Sequence, residues 1–151
     1  MAPMDEVDKA ILNRIQSNFP ITSSPYLYLA KDLNLDEAEV LSRLKRLKDD
    51  GIIRRIGGNF TPGKLGFVST LCAASVPEDK IDKFTRIVNR YPGVTHNYKR
   101  DNTYNIWFTF ISPSIEEIEK NLKQIAGETG VTDILNLPAT KVFKIRAHFD
   151  L

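Results

Sequence analysis

The sequence predicts an α+β chain of two small domains. These are a winged helix-turn-helix over residues 1–60 and a ferredoxin-like βαββαβ domain over residues 61–151. Two observations carry the prediction. Apolar residues recur at helical spacing as far as Gly51. Beyond residue 60 the pattern changes to β-type runs alternating with two amphipathic helices. A length of 151 residues suits two such modules.

In the first domain, Val7, Ile11 and Ile15 share one helical side after an acidic start. Pro20 and Thr22-Ser23-Ser24-Pro25 break the chain, and Tyr26 to Leu33 reads as a second helix ended by Asn34. Asp36 is the expected cap of a third helix, with Glu39 completing a capping-box pattern. Val40, Leu44 and Leu47 form its apolar stripe, and Gly51 stops it. Ile52 to Ile56 reads as the wing strand, with Gly57-Gly58 as its turn.

In the second domain, strands are expected over Phe67–Val76, Val94–Arg100, Thr103–Ile111 and Val131–Leu137, with a fifth over Val142–Phe149. One helix starts after Pro77 and carries Ile81, Phe84 and Val88. Another, capped by Ser114, carries Ile115, Ile118, Leu122 and Ile125. The βαββαβ order puts both helices on one sheet face. The other face must then meet a partner or a ligand.

Composition excludes several classes. Hydrophobic residues make up 42% and charged residues 26%, which rules out extended disorder. Cys72 is the sole cysteine, so one chain builds neither an internal disulfide nor a cysteine-based zinc site. That usage fits a cytoplasmic location. The first residues lack the apolar core of a secretory signal, and no stretch suits a membrane helix. The net charge of +2 neither demands nor excludes nucleic acid. Residues 1–60 hold nine Lys/Arg and nine Asp/Glu, so the helix-turn-helix is neutral. A scaffold used for packing fits that balance as well as a DNA reader, and DNA binding is not expected.

The most informative segment is His96-Asn97-Tyr98-Lys99-Arg100, followed by Tyr104-Asn105-Ile106-Trp107-Phe108. Strand side chains alternate between faces, so His96, Tyr98 and Arg100 share one. A two-residue turn at Asp101-Asn102 would pair Tyr98 with Asn105 and His96 with Trp107. All five would then lie on the open face, whereas a three-residue turn would scatter them. On spacing alone, a subunit interface accounts for these residue types better than a pocket does. Donor, cation and ring on a face that must be covered favour a pocket for a flat anionic ligand.

Several segments carry a family resemblance. They are Ile53-Arg54-Arg55-Ile56-Gly57-Gly58-Asn59-Phe60, Gly93-Val94-Thr95-His96-Asn97-Tyr98, and Tyr104-Asn105-Ile106-Trp107-Phe108-Thr109. The ending Leu135-Asn136-Leu137-Pro138-Ala139-Thr140 with Phe143-Lys144-Ile145 agrees. Nearly the whole chain resembles the Lrp/AsnC regulators, and these segments resemble the alpha-type siroheme decarboxylases within that fold family. The resemblance implies a carboxy-lyase of the alternative heme pathway. It would remove the carboxyl groups of the two acetate side chains of siroheme, giving 12,18-didecarboxysiroheme. It also implies a homologous beta-type partner in a heterodimer. No resident cofactor is expected, because the iron belongs to the substrate.

For that chemistry, His96 is the first candidate general acid and Tyr98 the second, with Arg100 holding a carboxylate. Arg54, Arg55 and Arg146 are candidate rim cations. Asn97, Tyr104, Asn105 and Trp107 are candidate binding residues, and His148 on the terminal strand is another. His96 is also a candidate iron ligand, a role it cannot hold while acting as the acid. A ligand-responsive Lrp/AsnC-type transcriptional regulator stays open as the alternative, as does a non-catalytic partner of an active homologue.

Overall fold

The computed structural model describes residues 3–145 and 148–151. The chain divides into two compact units, Met1–Gly58 with Lys144–Leu151, and Asn59–Phe143.

The first unit packs three helices, α1 (Glu6–Asn18), α2 (Pro25–Asp32) and α3 (Glu37–Asp49). Ile11, Leu12, Leu29, Val40, Leu44 and Leu47 form its core, as their helical spacing requires. Asn34, at φ +54°, makes the left-handed turn between α2 and α3. Gly51, at φ +75°, closes α3. The capping box lies elsewhere than expected. Asp36 accepts from the Ala38 amide, but Glu39 accepts from Arg43 instead of reaching back to the cap. The reciprocal box is at α1, between Asp5 and Asp8.

No strand forms over 52–56, so the wing read from the sequence is not a hairpin among the described residues. The segment bends at Ile52-Ile53 and has no partner strand among the described residues, and β-type residues alone do not make a ladder. The expected fifth strand over 142–149 is likewise absent among the described residues. The end of the chain packs on α1 and not in the sheet. Asn13 donates to the Leu151 carbonyl, and the Gln16 amide both donates to and accepts from the Phe149 backbone. The second domain, expected to run to residue 151, therefore ends at Phe143 as a compact unit.

Asp8 is fully buried and accepts from both Arg43 and Arg46 of α3. Burial raises its carboxyl, but hydrogen bonds from Arg46, the Asp5 amide and Arg43 outweigh this and hold it at about 2. Its folded value lies below its unfolded value. Its contribution is therefore full above the unfolded pKa and fades as pH falls through about 2. We expect Asp8 to contribute about 2 kcal/mol to the first unit at neutral pH. Urea melts should show that Asp8→Asn lowers stability at pH 7 and flattens its fall between pH 4 and pH 2.

The second unit is an antiparallel sheet of order β2-β3-β1-β4. Its strands are β1 (Val68–Ala74), β2 (Val94–Lys99), β3 (Ile106–Ser112) and β4 (Ile134–Pro138). Helices α4 (Ile81–Val88) and α5 (Ile115–Thr129) supply Phe84, Val88, Ile118 and Ile125 to one core. Cys72, Ala74, Ile106, Phe108 and Phe110 meet them from the sheet. Strict alternation along β3 leaves Trp107, Thr109 and Ile111 on the opposite face. Burial pushes the Cys72 thiol up to about 12, so it is not a thiolate nucleophile.

Candidate active site

The β2–β3 hairpin does not use the two-residue turn. Tyr98 pairs with Trp107 and His96 with Thr109, with a register irregularity between Val94 and His96. The ladder closes where the Arg100 amide donates to the Asn105 carbonyl at 2.7 Å. The physical reason lies in the backbone. A tight type I′ turn needs positive φ at both central residues. Asn34 is the only non-glycine with positive φ among the described residues, so Asp101 and Asn102 do not supply it. The resulting shift is two residues, an even number, so each side chain keeps its face. Tyr98 and Trp107 therefore remain together on the open face.

Around that pair the site is ordered by stacking. The His96 and Tyr98 rings stack with centroids 6.0 Å apart and 26° between planes. The Arg100 guanidinium lies over the Trp107 indole, 5.4 Å from the ring centroid. The Thr95 hydroxyl lies 3.0 Å from His96 Nδ1. With Thr95 donating, the ring proton of neutral His96 sits on Nε2. His96 and Arg100 are exposed, and Tyr98 is 53% exposed.

The registers extend this face across the sheet. One row runs Tyr98, Trp107, Ala73, Leu135, and the next His96, Thr109, Leu71, Leu137. Leu71, Leu135 and Leu137 are exposed. The open face thus carries rings and charge on the β2 side and an apolar floor on the β4 side. The sequence reading gave none of the floor residues a place at the site. Leu135-x-Leu137 at period two beside a helix-covered sheet was the signal for them.

Other candidate residues are placed differently. Asn97 lies on the helix side of β2, where its Nδ2 donates to Asn89 and its Oδ1 is buried without a partner in the structure. The Asn105 amide is occupied by both backbone groups of Val76, at 2.9 and 2.8 Å. Tyr104 donates its hydroxyl to Asp133 at 3.0 Å, which raises its pKa and keeps it protonated. Arg54 is exposed, and Arg55 donates to the Gly58 carbonyl; both belong to the first unit. His148 is in no strand. Its Nδ1 lies 3.3 Å from the Ser17 hydroxyl of α1. Arg146 lies outside the described residues. On α3, Arg43 and Arg46 are taken up by Asp5, Asp8 and Glu39. No group of three or more metal-ligating side chains occurs among the described residues, and no described helix is long and apolar enough to cross a membrane.

Comparison with known proteins agrees with this architecture. The family model for an AsnC-like ligand binding domain matches residues 64–144. That for a siroheme decarboxylase NirDL-like HTH domain matches residues 8–54. The siroheme decarboxylase alpha subunit of Desulfovibrio desulfuricans is 58% identical over 149 residues, covering 99% of this chain and 86% of the relative. A crystal structure of the siroheme decarboxylase NirDL in co-complex with an iron-uroporphyrin III analogue matches at TM-score 0.69 and 33% identity. It covers 95% of this chain and 48% of that one. Escherichia coli AsnC matches at TM-score 0.80 and 19% identity over 97% of this chain and 99% of its own, a likeness of fold alone. With a relative this similar along nearly its whole length, the chain belongs to the siroheme decarboxylase alpha-subunit family, on the Lrp/AsnC fold.

Proposed function

We propose that this chain works with a homologous beta-type subunit to remove the carboxyl groups of the two acetate side chains of siroheme, giving 12,18-didecarboxysiroheme. The observation that carries the reading is the open sheet face. The stacked His96 and Tyr98 rings and the Arg100 guanidinium over Trp107 border an apolar floor on one surface. A flat macrocycle edged with carboxylates needs both halves. The NirDL chain is about twice as long as its match to this one, which leaves room in it for a second copy of the fold. That length supports a two-chain assembly here.

The chemistry follows from the residues. Arg100 holds an acetate carboxylate against the Trp107 side of the face. The bond between the methylene carbon and the carboxyl carbon breaks, and CO2 leaves. The electron pair stays on the methylene carbon, delocalised into the conjugated ring, so the reading needs no other electron sink. The imidazolium form of His96 then donates its Nε2 proton to that carbon, leaving a methyl group and a neutral imidazole with its remaining proton on Nδ1 toward the Thr95 hydroxyl, and solvent restores the imidazolium. Tyr98, stacked on His96, orients it and is the second candidate acid. Arg54, Arg55 and His148 belong to the other compact unit and Arg146 lies outside the described residues, so this reading gives them no part at the open face.

A regulator reading fits the α3 surface poorly. Two of its cations are bound to carboxylates of the same unit and are not free for phosphates. The test is anaerobic incubation of the chain with siroheme, with and without the partner, read by mass spectrometry. Loss of two carboxyl groups as CO2 is expected with the partner present. Bound but unchanged siroheme under those conditions would overturn the proposal.

A further inference from the structure

The hairpin end that carries Arg100 is fastened across the sheet by a chain of hydrogen bonds that starts at the Trp107 indole. Trp107 Nε1 donates to the Tyr104 carbonyl at 2.6 Å. Tyr104 in turn donates its hydroxyl to Asp133, just before β4. Asp133 is itself held, because its carbonyl accepts from the Ser75 amide at 3.0 Å. Asn105 grips both backbone groups of Val76, one residue further along the same strand exit. The loop is closed locally as well, since the Tyr104 amide donates to the Asn102 side chain. The indole thus has one polar atom, and Tyr104 uses it. What remains of Trp107 is a ring face, and Arg100 lies over it.

We propose that Asp133 and Tyr104 are positioning residues, which fix the Trp107 indole and through it hold the Arg100 guanidinium where a substrate carboxylate binds. The inference rests on the siroheme reading given above. It assigns to Tyr104 a role distinct from substrate contact, and it adds Asp133, whose distance from the hairpin in sequence hid it. The physical basis is preorganisation. A guanidinium stacked on an anchored ring loses less freedom on binding a carboxylate than one on a free loop.

Trp107 is the only tryptophan in the chain, so its fluorescence reports the anchor directly. Emission and acrylamide quenching are to be measured on the full chain, and siroheme affinity and decarboxylation on the full chain with its partner. Asp133→Ala and Tyr104→Phe are expected to make Trp107 more quenchable. They should weaken siroheme binding roughly three- to tenfold, the scale of one lost hydrogen bond. Asp133→Asn keeps an acceptor for the Tyr104 hydroxyl and should restore both readouts, which a merely structural loss would not do. If Tyr104→Phe lowers the melting temperature, the comparison of Asp133→Ala with Asp133→Asn decides. Unchanged quenching and affinity in Asp133→Ala, with binding weakened in Arg100→Ala, would overturn the positioning role and leave the siroheme site standing. Wild-type binding and turnover in both Arg100→Ala and Trp107→Phe would instead remove the site reading, and this inference with it.

Discussion

Replacing His96 by alanine is expected to lower siroheme decarboxylation about 10²- to 10⁴-fold, the usual contribution of a positioned general acid. Siroheme affinity should change little. His96 is exposed on the open face, and among the described residues its one side-chain hydrogen bond is the Nδ1 contact with Thr95. The loss should therefore fall on kcat and not on KM, because the proton transfer is made only in the transition state. The same variant separates two roles. Were His96 an iron ligand, its removal would weaken binding and shift the absorption spectrum of the bound tetrapyrrole. Single-turnover decay of bound siroheme, with the spectrum of the starting complex, reads both. Partial recovery of turnover by added imidazole would support proton donation. Wild-type turnover in His96→Ala would pass the acid role to Tyr98, which stacks on the same ring.

Replacing Phe108 by alanine is expected to destabilise the second unit by about 3–5 kcal/mol, as is usual for deleting a buried aromatic ring. Phe108 is fully buried under the face that carries Trp107 and Thr109. Its ring meets Phe84 of α4 edge-on at 6.2 Å and lies 6.5 Å from Phe110. Truncation would leave a void between the sheet and both helices, which the flanking strand pairs keep from closing. The first unit has its own core, so it should keep its helical signal while the second melts. Thermal unfolding followed separately by helical circular dichroism and Trp107 emission tests this. A melting temperature close to wild type would mean that the core repacks around the gap.

The order of elements was legible because each rests on a local rule. Val40, Leu44 and Leu47 repeat at helical spacing, Gly51 stops α3, and Ser114 caps α5 through the Glu117 amide. The alternation of Ile106, Phe108 and Phe110 told the buried face of β3 from the open one. The wing and the fifth strand were misread for one reason. Ile52–Ile56 and Val142–Phe149 have strand-like composition, but a strand exists only where a neighbour offers its backbone, and among the described residues none does.

The sequence by itself determined the three N-terminal helices, the βαββαβ order and the face shared by His96 and Tyr98. Periodicity, caps and residue type are all written within a few positions of one another. Only the tertiary structure decided the register that sets Tyr98 beside Trp107, and the fate of each polar candidate. Asn97 was claimed by Asn89, Asn105 by Val76 and Tyr104 by Asp133. Those outcomes depend on which long-range partner satisfies a side chain once the strands have paired. Hydrogen-bond partners 8 to 29 residues away leave no periodic mark on the sequence.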